Sequence, residues 1–149
     1  MTMALRIGDL AKRTGKSVHT IRWYEARGLV PGVARDAGGR RGYHPRHVDW
    51  LEFIARLCAT GMTIARIADY ARLVRRGRQT LPERIALLEE QRSRVEARQR
   101  ELLDAQAIIA AKIDYYDQWR RTGERPARAF SVERARGSRG TLRRRSQPK

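Results

Sequence analysis

Leu81, Leu88, Val95, Leu102, Ile109 and Tyr116 recur seven residues apart without a miss through the second half of the chain. Between them on the same seam lie Ile85, Arg92, Gln99, Gln106 and Ile113. That is a heptad pattern with an apolar d row and a mixed a row, carried by one continuous helix. A helix from Pro82 to Trp119 spans about 55 Å at about 1.5 Å per residue. Too little chain remains to cover a stripe of that length, so the pattern predicts burial against a second copy of the same helix. The competing arrangement is a helix packed on its own domain. The dimerisation residues so expected are Leu81, Ile85, Leu88, Val95, Leu102, Ile109, Ile113 and Tyr116. Arg92, Gln99 and Gln106 lower stability and fix register, because an unpaired polar group in an apolar layer is costly. Thr80 and Glu83 have the spacing of a capping box, and Pro82 falls in the first turn, where its missing N–H costs nothing. Strand direction is not readable from these residues.

The seam separates two basic regions. Residues 1–78 carry 16 basic and 6 acidic side chains, residues 79–119 carry 6 and 8, and residues 120–149 carry 11 and 2, within a 149-residue chain of net charge +17. A phosphate polyanion is the partner this distribution implies for head and tail. A membrane surface would want basic residues on one side of an amphipathic helix, whereas here they are scattered over several short elements. No run of about 18 apolar residues occurs, and the amino end lacks the apolar core of a signal peptide. The length excludes a large multi-domain enzyme. Cys58, the single cysteine, allows neither an internal disulfide nor a cysteine-based metal site, in keeping with a reducing cytoplasm.

The head divides at its caps and stops. Ile7, Leu10 and Ala11 lie at helical spacing and end at Thr14-Gly15; Ser17 is the N-cap of a second helix carrying Val18, Ile21 and Tyr24, which stops at Gly28. Two short helices joined by a tight turn form a helix-turn-helix, whose second helix enters the major groove. Its solvent side is expected to present His19, Arg22, Trp23 and Arg27. From Leu29 to Tyr43 the helical period is lost, and Gly32, Gly38, Gly39 and Gly42 alternate with Arg35, Arg40 and Arg41. This reads as a two-stranded wing with a basic tip, or else as a solvated loop. Val48, Leu51, Ile54 and Leu57 make a third helix ending at Gly61, and Thr63 caps a fourth that runs to Arg76 and ends at Gly77. Met62 and Ile67 have the spacing of a hydrophobic staple across that cap.

The run Ile7-Gly8-Asp9-Leu10-Ala11, then Thr14-Gly15, Thr20-Ile21-Arg22-Trp23-Tyr24-Glu25 and Gly28-Leu29 resembles the amino-terminal domain of the MerR family of bacterial transcription regulators. The likeness continues through Arg41 and Tyr43, the Leu51-Glu52-Phe53-Ile54 run and Thr60-Gly61-Met62-Thr63-Ile64. It implies a mainly α chain: a winged helix-turn-helix head of four helices with a small two-stranded wing over residues 1–78, an antiparallel coiled-coil dimerisation helix over 79–119, and a basic disordered tail over 120–149. It also implies a cytoplasmic homodimer on double-stranded DNA, at a palindromic promoter operator with an overlong spacer. Bending and underwinding that DNA acts on RNA polymerase indirectly. Ser17, His19, Thr20, Arg22, Trp23, Tyr24, Arg27, Arg40, Arg41 and Tyr43 are the expected DNA-binding residues. For Tyr24 the alternative is a ring packed between helices with its hydroxyl at the surface, and for His19 a merely exposed ring. The resemblance leaves the effector unnamed.

Sensor chemistry is sparse. No cysteine follows Cys58, as metal-sensing relatives would require, and His44 and His47 lack a third ligand, so neither a metal nor a cofactor is expected. Electrophile-responsive relatives carry a cysteine in the third helix; the stretch Phe53-Ile54-Ala55-Arg56-Leu57-Cys58 is similar, with Cys58 two residues from the usual place, so it reads as a possible sensor or as an inert buried thiol. Tyr115, Tyr116 and Trp119 form either an effector pocket with the partner's head or ordinary dimer packing. Beyond Trp119 the recurrence of Gly, Ser and Arg predicts a tail that does not fold. No catalytic constellation can be assembled, so no enzyme activity is expected. The alternative function is an architectural or recombination accessory protein that bends DNA without acting on transcription.

Overall fold

A computed structural model describes residues 5–137, so the ends of the amino terminus and of the basic tail lie outside the described residues. The order is α1 (Ile7–Thr14), α2 (Val18–Ala26), β1 (Ala34–Arg35), β2 (Arg41–Gly42), α3 (Arg46–Ala59), α4 (Ile64–Arg76), a 3-10 turn (Arg78–Thr80), α5 (Leu81–Thr122) and α6 (Val132–Gly137). The described residues form two compact units that divide between Ser93 and Arg94.

In the first unit the expected caps set the helix limits. Gly15 closes α1 in the left-handed region at φ 64°, which only glycine adopts without strain. The Ser17 hydroxyl accepts from the Thr20 N–H at 3.0 Å to start α2, and Thr63 accepts from the Arg66 N–H at 3.3 Å to start α4. Two clusters make the core. Leu10, Ile21, Val30, Tyr43 and Leu51 join α1, α2, the wing and α3; Leu29, Ile54, Leu57, Met62 and Ile67 join α3 and α4. The staple pair Met62 and Ile67 meets in the second cluster as its spacing requires. Each such side chain, fully buried, contributes about 1.5–3 kcal/mol.

The wing is short but built. Its strands pair antiparallel with Ala34 opposite Gly42 and Arg35 opposite Arg41, and Leu5 bridges to Tyr43. Asp36 organises the tip: its Oδ1 accepts from the N–H groups of Gly38 at 3.0 Å and Arg40 at 2.8 Å, while Gly39 turns the chain at φ 75°. Arg35 Nη1 donates to the Gly39 carbonyl at 2.9 Å. The solvated-loop alternative is therefore set aside.

Two expectations about α5 need correction. Thr80 does not form a capping box; it is buried, its hydroxyl donating to the Leu73 carbonyl at 2.7 Å and accepting from Arg84 Nε at 3.0 Å. A preceding 3-10 turn leads directly into α5, and Arg84 takes up the orphan carbonyls of α4, including those of Leu73 at 3.1 Å, Val74 at 3.3 Å and Gly77. Leu88, expected on the dimer seam, instead packs with Leu87 against the Leu29–Ile67 cluster of its own head. Gln91, buried one turn later, donates to the Thr60 carbonyl at 3.1 Å and hydroxyl at 2.9 Å. The start of α5 thus belongs to the head, because a helical period alone does not say which partner covers a position.

In the second unit the seam is open. Leu102, Ile109 and Ile113 are 55%, 61% and 56% exposed, and Tyr116 is exposed beside them. Residues 120–137 depart from the disordered tail expected over 120–149, whose remainder lies outside the described residues: α5 continues to Thr122, Gly123 turns the chain, and Phe130 packs edge-on to Tyr115 with ring centroids 6.3 Å apart. The Lys112 ammonium lies 5.0, 4.8 and 4.4 Å from the centroids of Tyr115, Tyr116 and Phe130. One aromatic ring after the helix supplies the anchor that the composition of the segment hides.

Candidate nucleic-acid interface

A single acid ties the wing to the second helix. Glu25, on α2, accepts from the Tyr43 hydroxyl with one carboxylate oxygen and pairs with Arg41 Nε at 2.7 Å with the other. The wing is thereby fastened to the recognition helix by its second strand. Burial first, and the Glu25 hydrogen bond and charge next, push the Tyr43 phenol well above its ordinary 10; Arg41 and Arg22 pull the other way. Around this fastening, Arg22, Arg35 and Arg41 line an open hollow of about 360 Å³, and Arg6, Arg22, Arg40 and Arg41 line a neighbouring one of about 180 Å³. Five arginines, from α2, the wing and the residue before α1, therefore edge adjacent hollows, and Glu25 holds one of them, Arg41.

The expected DNA-binding residues lie in unlike surroundings. His19, Arg22, Arg27 and Arg40 are exposed. Arg41 is exposed but shares its charge with Glu25. Ser17 and Thr20 spend their side chains on each other, with hydroxyl oxygens 2.8 Å apart at the cap of α2. Trp23 is not on an open face: its ring half-buries against the second core cluster and carries the Arg27 guanidinium at 3.9 Å. Tyr24 packs between both clusters with Cys58 nearby; burial first and that thiol second raise its phenol. Tyr43 is wholly buried and cannot touch DNA; its role is to hold Glu25. An aromatic in a DNA-binding motif gives no sign of whether it faces the core, whereas the acid Glu25 among arginines was the signal that the expected set lacked. Arg6 and Arg35 join the face without having been in that set.

The histidines have structural work. His47 is 2% exposed; its Nδ1 accepts from the His44 N–H at 2.8 Å and its Nε2–H donates to the Pro31 carbonyl at 2.9 Å. The bond accepted by Nδ1 requires the neutral ring, and burial, the largest cause, lowers the imidazole below its ordinary 6.5, while the bond to Pro31 pulls the other way. His44 Nδ1 accepts from the Arg46 N–H at 3.2 Å. Among the described residues no group of three or more metal-ligating side chains gathers, and no helix is long and apolar enough to cross a membrane.

A helix-turn-helix with a basic wing locked to its second helix defines a DNA-binding head of the winged class. The family model described as MerR HTH family regulatory protein matches residues 5–73, and that described as MerR, DNA binding matches residues 48–112. An uncharacterised HTH-type transcriptional regulator of Haemophilus influenzae is 31% identical over 121 residues, which cover 81% of this chain and 90% of the relative. The regulator AdhR of Bacillus subtilis is 33% identical over 91 residues, covering 61% of this chain and 65% of the relative. The crystal structure of HiNmlR, a MerR family regulator lacking the sensor domain and bound to promoter DNA, aligns with a TM-score of 0.68 at 30% identity, over 82% of this chain and 97% of that one. A MerR family structure from Listeria monocytogenes gives a TM-score of 0.70 at 33% identity, over 76% of this chain and 86% of its own. The chain belongs to the MerR family and is a DNA-binding transcription regulator of that type.

Proposed function

We propose that the protein acts in the cytoplasm as a homodimer on a symmetric promoter operator. In this reading α2 lies in the major groove, with Arg22 and the exposed His19 and Arg27 toward it, and Arg6, Arg35, Arg40 and Arg41 engage phosphates along the wing. Two heads are joined through the exposed part of the α5 seam, and the pair deforms the promoter so that RNA polymerase uses it differently. Deforming a site of this size costs on the order of 1–6 kcal/mol, which the wing contacts must offset.

The observation that carries the reading is the Glu25 fastening, which places wing and recognition helix as one preformed cationic surface. Preformation lowers the ordering cost of binding. Footprinting the chain on its own upstream region, followed by run-off transcription from that promoter with its native and a shortened spacer, tests the proposal. A symmetric footprint with transcription altered on the native spacer is expected. A footprint without any change in transcription would leave a DNA-bending accessory protein instead. Cys58 stands beside Tyr24 as a candidate sensor; Cys58→Ser should blunt an oxidant or aldehyde response in a reporter assay, and a full response in that variant removes the thiol from consideration.

A further inference from the structure

The head holds a larger hollow, of about 920 Å³, between α3 and α4, that the DNA face does not use. Its apolar wall is aromatic. The rings of Trp50 and Tyr70 lie parallel, 5.8 Å apart at an interplanar angle of 10°, and Phe53 is tilted 5.8 Å from Tyr70. Arg46, Asp49 and Arg75 are exposed on its lining and make it net positive. The Arg46 backbone N–H is bonded to His44, but no described residue takes up its guanidinium. The volume falls within the range of about 300–1,000 Å³ usual for small-molecule sites, as does the mix of aromatic wall and few polar groups.

Three side chains of this lining also fasten the link from α2 to β1. Arg75 Nη1 donates to the Gly28 carbonyl at 2.8 Å, Trp50 Nε1 donates to the Leu29 carbonyl at 2.7 Å, and His47 Nε2 donates to the Pro31 carbonyl at 2.9 Å. Pro31 and Gly32 are themselves part of the wall. An occupant that displaces Arg75 or Trp50 therefore acts on the backbone that leads from the recognition helix into the wing.

We infer that this hollow binds a planar aromatic anion of the aryl carboxylate class, its ring on the Trp50–Phe53–Tyr70 wall and its carboxylate on Arg46, and that occupancy is read at the wing through those three fastenings. A flat ring matches the wall, and the unengaged guanidinium presents a planar donor fork to a carboxylate. The ligand half of the inference stands without DNA. Only its regulatory meaning rests on the function proposed above.

The probes are 2-naphthoate and its uncharged analogue 2-naphthamide, titrated calorimetrically into the full-length protein. Naphthoate should bind one site per chain, and the amide about tenfold more weakly, the loss expected for one charge-assisted bond. Arg46→Gln should abolish that preference while leaving the amide affinity unchanged. Phe53→Leu, which keeps the site apolar and the head folded, should weaken both probes several-fold. Absence of saturable binding, equal binding of the two probes, or an undiminished preference in Arg46→Gln overturns the site. Amide hydrogen exchange over residues 28–43 should change with naphthoate in the parent and not in Arg46→Gln; bound naphthoate with unaltered exchange there overturns the coupling. Failure of the unliganded protein to bind DNA would strike the regulator proposal instead, and the titrations would still decide the site.

Discussion

Replacing Glu25 with alanine tests how the DNA face is held together. The Glu25 side chain is 11% exposed and that of Arg41 42%. An ion pair with so exposed a partner contributes about 0–1 kcal/mol. Tyr43 carries the larger share, because its ring is wholly buried and a hydrogen bond to a charged acceptor contributes about 1.5–3 kcal/mol. Glu25→Ala leaves the hydroxyl buried without that acceptor, for an expected loss of about 2–4 kcal/mol. Tyr43→Phe removes the donor as well, leaves the carboxylate with Arg41, and should cost about 1–2 kcal/mol. The double variant should fall short of the sum by about 1–2 kcal/mol, the coupling of the pair. Urea unfolding at one fixed protein concentration measures all three, since any dimer makes stability depend on concentration. Raising the pH probes the same bond from another side. The folded phenol is held above 10, so its stabilisation is full below pH 10 and is lost as the pH rises beyond it, a dependence that Tyr43→Phe should remove. Additive single losses, or a Glu25→Ala loss under about 0.5 kcal/mol, would refute the fastening as the organiser of the face.

Operator affinity should fall with salt at a log-log slope of roughly −5 to −10 if several phosphates are neutralised per dimer, and a flat dependence measured by fluorescence anisotropy rejects the electrostatic account. Leu102→Lys with Ile109→Lys places like charges on the exposed seam and should give folded monomers by sedimentation and circular dichroism; a dimer that survives locates the interface elsewhere. Leu88→Lys should instead unfold the head, because Leu88 packs on its core. The neutral His47 ring stabilises the head fully above pH 6.5, and that contribution is lost as the pH falls below it, since the unfolded imidazole then takes up a proton that the folded one resists. Urea midpoints from pH 7.5 to pH 5 should therefore drop more steeply for the parent than for His47→Gln, and equal slopes would dismiss the buried imidazole as the cause.

Legibility in the sequence followed the range of the interaction. Ser17, Thr63 and Gly15 act within one turn of where they stand, so the limits of α1, α2 and α4 could be read directly. Thr80 has the same local spacing, yet its hydroxyl turns back across the 3-10 turn to the Leu73 and Gly77 carbonyls, which α4 leaves without helical partners. The heptad row announced the helix and assigned the whole stripe to one cover, a second copy, yet Leu88 and Gln91 go to the head, while Leu102, Ile109 and Ile113 stay exposed. The Trp50–Phe53–Tyr70 wall was missed for a related reason, since Trp50 and Phe53 lie one turn apart on α3 but Tyr70 arrives only with the packing of α4. Composition also misled at Glu25, where counting net charge treats an acid in a basic head as a small debit. Its carboxylate does repel phosphate, and it takes up part of the charge of Arg41. What it gives in return is order: a two-residue strand pair is too short to hold its place alone, and without the bonds to Arg41 and Tyr43 the wing would have to be ordered at the moment of binding. A regulator that discriminates one site among many needs fixed geometry more than one further unit of attraction, because attraction to phosphate is the same at every sequence.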